Sequence, residues 1–375
     1  MIETVLCVDI GTTSLKTGLI TGDGEVVSFS AKQFSNYEDR YISHSWKLSL
    51  KSAIGEMKQQ CKWEEICIKA LAISGNGPTL VAQNGLTYKW NEHIVWQLFE
   101  RYSEQANQFL RKSLFLPRIV MMKHLFPKEF AEGTIFSGPE YLMYQLTGCP
   151  VTILPEKRFS TAYWSEENLS LCDINPEKLP PFVGVGEICG YLKSAEAENL
   201  GLKAGIPVVS GGPDFVVALI GTNTLTSGNI CDRCGSSEGF NYCVPKFITA
   251  PEIRTLPSVI PDLWNCSFLI PESGSLSETE RFYYAKKAVA SLKKISEDYK
   301  IPFPTDIVVT GGQAKDKVLM QEKALVLGIK LSTCQNADAE LLGDSCAAWY
   351  ALGKYASLQD AANHIVKKEV VYEGV

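Results

Sequence analysis

The chain has 375 residues, of which 45% are hydrophobic and 21% are charged, and its formal net charge is −6. This length allows two domains with a core each, and the acidic balance argues against nucleic acid as the main partner, because phosphate binding needs a basic surface. The N-terminus lacks the basic region of a signal peptide, and no apolar run reaches the roughly 18 residues of a transmembrane helix. The sequence therefore predicts a cytoplasmic globular protein with no membrane or nucleic-acid partner.

The chain begins with strands separated by turns. Residues 2–10 form an apolar run typical of a buried strand, and the turn Gly11-Thr12-Thr13 follows it. Two further strands are predicted at 15–21 and 25–29, because the Asp23-Gly24 step between apolar runs is a strong hairpin signal. The first turn therefore lies at the tip of a hairpin. It differs from a Walker A loop, which requires Gly-Lys-Ser/Thr at the start of a helix.

Helical patterns dominate the next part of the chain. Apolar positions at helical spacing predict a helix at 45–60, and a strand at 66–73 ends at Ser74-Gly75-Asn76-Gly77-Pro78. Further helices are predicted at 92–111, 116–126 and 138–148, the last with Pro in its first turn and Gly after its end. Residues 173–206 are rich in Pro, Gly and acidic residues, which predicts loops and short elements that bridge two halves.

The second half repeats the opening pattern. A strand at 206–210 enters the Gly211-Gly212 turn, and a helix follows at 214–221. Strands at 229–233 and 239–244 then flank Gly235-Ser236-Ser237, so this hairpin has the same order of strand, Gly-hydroxyl-hydroxyl turn and strand as the first one. The remaining predicted elements are a strand at 307–309, which ends at Gly311-Gly312, and helices at 278–299, 315–327, 338–352 and 358–366.

The glycine turns share a chemistry. Short turns of Gly, Ser and Thr after apolar runs can present backbone N–H groups and hydroxyls to phosphate. Asp9 and Asp214 accompany two of these turns, and a carboxylate there could hold Mg²⁺ or accept a proton. Several such turns, two of them with an acidic residue, predict a chain that binds a nucleotide from two sides.

The twelve cysteines are scattered, which predicts reduced thiols and not a disulfide framework. Cys231 and Cys234 form the one close pair, with the spacing of a redox or metal half-site. No second pair and no histidine cluster accompanies them, because the chain has four histidines in all. We therefore interpret them as structural residues of a strand that leads to Gly235.

The order and spacing of these motifs resemble the FGGY carbohydrate kinases, a family that includes xylulose, gluconate and glycerol kinases. The resemblance implies an α/β fold of two actin-like (ribonuclease H-like) ATPase domains with a nucleotide cleft between them. It also implies an N-terminal domain at 1–204 and a shortened C-terminal domain at 205–375, and it leaves a homodimer open. The similar segments cover nearly the whole chain and lie at 9–16, 73–75, 94–97, 139–148, 179–181, 190–192, 205–214, 311–315, 321–329 and 340–348.

The resemblance further implies ATP and Mg²⁺ as cofactors and a role for each motif. Asp214 matches the catalytic base that takes the proton from the attacking sugar hydroxyl, and Asp9 and Asp214 match the carboxylates near Mg²⁺. Taken alone, Asp214 could also be a simple helix N-cap, and each turn a simple hairpin turn. The other implied contacts are Gly11, Thr12, Thr13, Gly235, Ser236 and Ser237 to phosphates, Gly311, Gly312 and Gln313 to the nucleoside, and Asn76, Trp96 and Gln97 to the acceptor.

The acceptor side departs from the family pattern. Many relatives carry Gly-Gln-Met-His-Gly where this chain has Gly75-Asn76-Gly77-Pro78, and an Asp and an Arg where this chain has residues 98–100, Leu-Phe-Glu. The chain is also shorter than typical members, mainly between residues 241 and 307. We therefore predict an ATP-dependent sugar or polyol kinase and favour a ketopentose-like acceptor. The alternatives are a nucleotide-binding regulator or degenerate, non-catalytic member of the superfamily, and an ATPase that drives another protein.

Overall fold

The structure is a computed structural model that describes residues 1–235, 238–270, 272–335 and 338–374. The chain forms two compact units: unit 1 comprises Met1–Leu19 and Val27–Asp214, and unit 2 comprises Ile20–Val26 and Phe215–Val375. The division lies after Asp214 and not before residue 205 as predicted, because residues 207–213 form a strand that pairs inside unit 1. Within the described ranges, no helix has both the length and the apolarity needed to cross a membrane.

Unit 1 is built on a sheet whose central strands are parallel. Its α-helices and strands, in chain order, are β1 (Ile2–Ile10), β2 (Ser14–Thr21), β3 (Val26–Gln33), α1 (Ser43–Gln60), β4 (Ile66–Gly75), β5 (Leu80–Ala82), β6 (Thr87–Tyr88), α2 (Glu104–Lys112), α3 (Leu116–Leu125), α4 (Pro127–Ala131), β7 (Ile135–Ser137), α5 (Gly138–Thr147), β8 (Thr152–Ile153), α6 (Glu166–Leu171), β9 (Phe182–Val183), β10 (Ile188–Tyr191), α7 (Ser194–Leu200) and β11 (Pro207–Pro213). The tip of the β2–β3 hairpin belongs to unit 2.

The main sheet of unit 1 has the strand order β10-β11-β4-β1-β2-β3. Strands β1, β4 and β11 are parallel to one another, and β10 is antiparallel to β11. Residues 5–8 of β1 and 70–73 of β4 are fully buried and apolar, as expected for parallel strands covered on both faces. The carboxyl ends of three strands therefore meet at one edge of the sheet.

Two predictions for this part of the chain are wrong. Residues 173–206 do not bridge two halves, because β9, β10 and α7 all lie in unit 1 and β10 extends its sheet. The helix predicted at 92–111 begins later, with α2 at Glu104, where Ser103 accepts a hydrogen bond from the N–H of Ala106. A short 3₁₀ helix at Trp96–Phe99 precedes it.

Unit 2 contains a second sheet with the strand order β14-β15-β13-β12-β16-β17-β18. Strands β12, β16 and β17 are parallel, and β12–β13 is an antiparallel hairpin. Its elements are α8 (Asp214–Gly221), whose first residue belongs to unit 1, β12 (Ile230–Cys234), β13 (Glu238–Val244), β14 (Ile253–Pro257), β15 (Trp264–Ile270), α9 (Glu278–Tyr299), β16 (Asp306–Thr310), α10 (Lys317–Leu327), β17 (Lys330–Cys334), α11 (Ala339–Ala351), α12 (Leu358–Ile365) and β18 (Lys368–Tyr372).

The core of unit 2 joins the sheet to α9 and α10. Phe240 and Tyr242 of β13 pack in one buried cluster with Leu292 of α9 and Met320 of α10. The helices predicted at 214–221 and 278–299 are present with those bounds. Strands β14, β15, β17 and β18 were not predicted, and the first two fill part of the segment between residues 241 and 307.

Candidate functional site

The carboxyl edge of the unit 1 sheet brings together residues that are far apart in the sequence. In the strand register, Asp9 of β1 and Gly212 of β11 both pair with Ser74 of β4. Two strand spacings, roughly 10 Å, therefore separate the ends of β1 and β11. Asp214 follows at the beginning of α8. The structure thus places both predicted carboxylates at one edge of one sheet.

Asp9 lies in a buried position and has a polar environment. It is 3% exposed; the hydroxyl of Ser74 donates to its Oδ1 at 3.5 Å, and the ammonium of Lys16 lies 3.9 Å from Oδ2. A buried carboxylate is stable only with such polar or cationic partners. Asp9 therefore lies buried at the edge of the sheet with one polar and one cationic partner beside it.

Asp214 is the first residue of α8, which continues with buried apolar residues from Val216 onward. It is half-buried, and the preceding Gly212 has a φ of +135°, a left-handed value that favours glycine. The N-terminal end of a helix carries a partial positive charge that stabilises a carboxylate. This position suits an ionised side chain that can still be reached from solvent.

The turn after β1 is held by side chains from later segments of unit 1. The hydroxyl oxygen of Thr12 accepts hydrogen bonds from Asn76 Nδ2 at 3.3 Å and from the indole N–H of Trp90 at 3.0 Å. The carbonyl of Thr13 accepts from the N–H of Phe34 at 2.9 Å, and Gly11 donates to the carbonyl of Ser14. The turn is therefore anchored through Thr12, while Thr13 is exposed.

Sequence reasoning missed Trp90. Its carbonyl accepts a hydrogen bond from Arg118 Nη2 at 2.5 Å, and Arg118 also donates to the carbonyl of Leu114. Its backbone N–H donates to the hydroxyl of Thr79 at 3.2 Å. Trp90 lies outside the helices and strands, so no periodicity in the sequence marks it as a partner of the turn.

The three predicted acceptor residues occupy two different places. Asn76 supports the first turn, because its amide donates to Thr12 and its Oδ1 accepts from Thr79 at 2.9 Å. Trp96 and Gln97 lie on the exposed 3₁₀ helix, where the ring of Trp96 meets Phe99 edge to face. A pocket of only about 20 Å³ lies beside Thr12, Asn76 and Trp90. An acceptor role for the three residues stays a prediction.

In unit 2, Gly235 and Gly311 lie side by side. The side chain of Gln313 donates to the carbonyl of Gly235 at 3.0 Å. Gly311 has a φ of +98°, and a Cβ there would lie 2.6 Å from the carbonyl oxygen of Cys234, whereas one at Gly312 would meet no atom within 4 Å. Backbone contact therefore requires glycine at 311, and the open position at 312 leaves room for a ligand. Ser236 and Ser237 lie outside the described residues.

Cys231 and Cys234 are both buried in β12 and are free thiols. The Cys234 thiol donates to the carbonyl of Thr310 at 3.1 Å, and burial raises the pKa of both thiols. Among the residues with described positions, no three His, Cys, Asp or Glu side chains are grouped so that they could hold a metal ion. The structural interpretation of this pair agrees with these contacts.

The sheet edge of unit 2 also carries ion pairs that sequence reasoning did not find. Arg233 Nη2 lies 3.4 Å from Glu340 Oε1, and Lys315 Nζ lies 2.9 Å from Asp338 Oδ2. The hydroxyl of Thr310 accepts from the N–H of Ala339 at 3.1 Å. These bonds connect the ends of β12 and β16 to the beginning of α11. Each of the two units therefore has a mixed sheet with glycine turns at its carboxyl edge.

Comparison with known proteins agrees with this fold. The family model described as "FGGY family of carbohydrate kinases, N-terminal domain" matches residues 136–221. The crystal structure of ligand-bound xylulose kinase from Lactobacillus acidophilus aligns with a TM-score of 0.76 at 15% identity, and the alignment covers 99% of this chain and 94% of that chain. The predicted α/β class with the two-domain actin-like ATPase fold is therefore confirmed.

Curated protein sequences that are similar to this chain are also carbohydrate kinases. A xylulose kinase from Staphylococcus epidermidis is 22% identical over 263 residues, which are 63% of this chain and 52% of the relative. The L-xylulose/3-keto-L-gulonate kinase of Escherichia coli is 25% identical over 307 residues, and the alignment covers 63% of this chain and 61% of the relative. The chain thus spans about half to three fifths of the length of these curated relatives. On these findings together, the chain is similar to the FGGY carbohydrate kinases in sequence over part of its length and in fold over nearly all of it.

Proposed function

We propose that this protein transfers the γ-phosphoryl group of ATP to a hydroxyl group of a sugar or polyol. The observation that carries the proposal is the shared edge of β1, β4 and β11, where Asp9 lies near the end of β1 and Asp214 directly follows β11 on the other side of β4. Phosphoryl transfer needs placed carboxylates and phosphate contacts more than covalent chemistry. The edge supplies the carboxylates, and the turn after β1 supplies donors.

Asp214 is the proposed catalytic base. Its half-buried position at the beginning of α8 keeps the carboxylate accessible, and the helix end favours its ionised form. Ionised, it accepts the proton of the attacking hydroxyl as that oxygen bonds to the γ-phosphorus and the bond to the ADP oxygen breaks. Asp9 is not the proposed base, because it is buried whereas Asp214 is half-buried.

Thr12 is the proposed phosphate donor of the first turn. Its hydroxyl oxygen has two acceptor positions, and Asn76 and Trp90 fill both. The remaining capacity of this hydroxyl is its O–H, which donates to an acceptor such as a phosphate oxygen. We also assign Gly11 and Thr13 to phosphate binding, and likewise Gly235, Ser236 and Ser237.

The donor set at this edge fits Mg²⁺ held mainly by phosphate. Mg²⁺ prefers oxygen ligands, keeps several waters and typically takes only one or two protein carboxylates. Asp9 and Asp214 are the carboxylates we assign to it. When bound, the ion neutralises phosphate charge. Gly311, Gly312 and Gln313 are the proposed nucleoside contacts, because the open position at 312 allows a ligand to approach the backbone.

For the acceptor we favour a ketopentose, because several of the similar curated proteins are named xylulose kinases. We assign Asn76, Trp96 and Gln97 to acceptor binding, although the described bonds of Asn76 also give it a supporting role in the turn. The acceptor side is where this chain departs most from the family pattern, so substrate choice is the part that the experiment below must identify.

The test is an ADP-release screen with ATP, Mg²⁺ and a panel of ketopentoses, other sugars and polyols. We expect one class of acceptor to stimulate ADP release, and Asp214→Asn to lower the stimulated rate by about 10²- to 10⁴-fold, the usual contribution of a general base. Asp298→Asn, an exposed carboxylate on α9, is the matched control and should retain the full rate. Binding of ATP without stimulation by any acceptor would favour the regulator and contradict the kinase.

A further inference from the structure

A fully buried ionic cluster lies beneath the second predicted phosphate turn. Lys323 of α10 donates to Asp232 Oδ2 at 2.5 Å and to Glu238 Oε1 at 2.7 Å. The three residues are 3%, 0% and 1% exposed, and we call them the Lys323 triad. The hydroxyl of Ser273 donates to the other oxygen of Glu238 at 2.8 Å, and the ammonium lies 5.2 Å from the centre of the Phe240 ring.

A gain in stability does not by itself explain why these three charged residues are buried together. Two carboxylates and one ammonium are removed from water together, and the cost of desolvation in such clusters commonly equals or exceeds the attraction between the charges. Apolar side chains of similar volume would fill the same space without that cost. The burial is so complete that it raises the pKa of Asp232 to about 7, despite the neighbouring ammonium.

We infer a role for the triad from its position between two strands and a helix. Asp232 lies two residues before the end of β12, and Glu238 is the first residue of β13, so the same ammonium holds the strands on both sides of residues 235–237. Lys323 itself belongs to the helix that follows the Gly311-Gly312 turn. The triad therefore joins the hairpin to the helix behind the proposed nucleoside contacts.

Backbone contacts complete this connection. Gln313 donates to the carbonyl of Gly235, and Gly311 approaches the carbonyl of Cys234 so closely that no side chain fits between them. The two turns are thus in contact at their bases, and the triad bonds both strands of the hairpin to α10. The distance between phosphate and nucleoside contacts depends on the register of the hairpin.

We propose that Lys323 is a positioning residue: it holds β12 and β13, the strands that flank the proposed phosphate contacts, in register with the proposed nucleoside contacts at 311–313. It touches neither ligand, because it is buried. This role rests on the proposed function: an ATP molecule must reach both turns at once, whereas adenosine alone needs only one of them. Loss of the triad should therefore weaken ATP binding and leave adenosine binding unchanged.

The experiment compares two dissociation constants by calorimetry, for adenosine and for a non-hydrolysable ATP analogue with Mg²⁺. We expect Lys323→Met to raise the constant for the ATP analogue at least tenfold and to change that for adenosine less than twofold. Lys317→Met, on the exposed side of the same helix, is the matched control and should change neither. Circular dichroism establishes that each variant is folded.

Glu238→Gln is the second variant, since it keeps the shape of the side chain and removes one charge. If Lys323→Met does not fold, Glu238→Gln tests the role in its place. We expect this variant to raise the ratio of the dissociation constant for the ATP analogue to that for adenosine by about threefold or more. A ratio that stays within twofold of the unaltered protein, or an equal weakening of both ligands, would overturn the positioning role. If the unaltered protein binds no ATP analogue, the proposed function fails and this role fails with it.

Discussion

The two Gly-hydroxyl turns of this chain have similar sequences and different supports. The turn at 11–13 is held by neutral hydrogen bonds to Thr12 from half-buried Asn76 and from Trp90, which is 37% exposed. The strands beside the turn at 235–237 are held by the buried Lys323 triad. Similar local sequence therefore does not imply similar energetics, because the support comes from residues distant in the chain.

The difference predicts that the second hairpin is the more sensitive of the two. Breaking a buried ion pair leaves a charge without compensation, which costs more than the loss of a neutral hydrogen bond near solvent. The predictions below test this comparison, from the largest expected effect to the smallest.

Lys323→Met should lower the free energy of unfolding by about 3–5 kcal/mol, because it leaves two buried carboxylates without their cation. Urea unfolding followed by circular dichroism measures this. Lys317→Met, an exposed change on the same helix, should stay within about 0.5 kcal/mol of the unaltered protein. Equal effects of the two substitutions would contradict the prediction that the buried lysine contributes more to stability than the exposed one.

The triad should also leave a signature in the pH dependence of stability. Burial raises the pKa of Asp232 from 3.8 to about 7. The folded state therefore binds this proton more tightly than the unfolded state, so the contribution is fully present below about pH 4 and is lost as the pH rises through 7. Asp232→Asn should remove this decline, which is at most about 1.4 kcal/mol per pH unit. Parallel stability curves for the two proteins between pH 4 and 7 would show that Asp232 does not titrate there.

Gly311→Ala and Gly312→Ala form a matched pair beside the second hairpin. Alanine at 311 would need a positive φ and would place Cβ 2.6 Å from the backbone of Cys234, so we expect a loss of about 2–3 kcal/mol. Alanine at 312 meets open space and should change stability by less than about 0.5 kcal/mol. Thermal unfolding of both variants tests this. A larger loss of stability for Gly312→Ala than for Gly311→Ala would contradict the close backbone contact at 311.

The first turn should respond least. Asn76→Ala removes the bonds to Thr12 and Thr79, and we expect it to lower the free energy of unfolding by about 1–2 kcal/mol. Trp90→Phe removes only the indole donor and should cost about 0.5–1 kcal/mol. Both variants should raise the KM for ATP in the kinase assay. Losses as large as that of Lys323→Met would remove the contrast between the two turns.

Much of the local structure could be predicted from the sequence. The bounds of α8 and α9 and the strand before Gly11 follow from apolar periodicity, and the turns follow from Gly beside Ser or Thr. The short edge strands β14 and β18 could not be predicted, because their pairing depends on strands far away in the chain. The boundary after Asp214 was missed for the same reason, since β11 belongs to unit 1 only through its pairing with β4.

For the candidate site, the sequence by itself determined which chemistry is available: Asp9, Asp214 and the glycine turns are recognisable from residue type and spacing. Only the tertiary structure decided how they are held. Lys323 is one lysine in a predicted helix, where solvent is the usual expectation, yet it is buried between two carboxylates. Trp90 and Ser74 likewise reach Thr12 and Asp9 only through folding. Local sequence encodes backbone preference and side-chain chemistry, whereas burial and partners depend on contacts between distant segments.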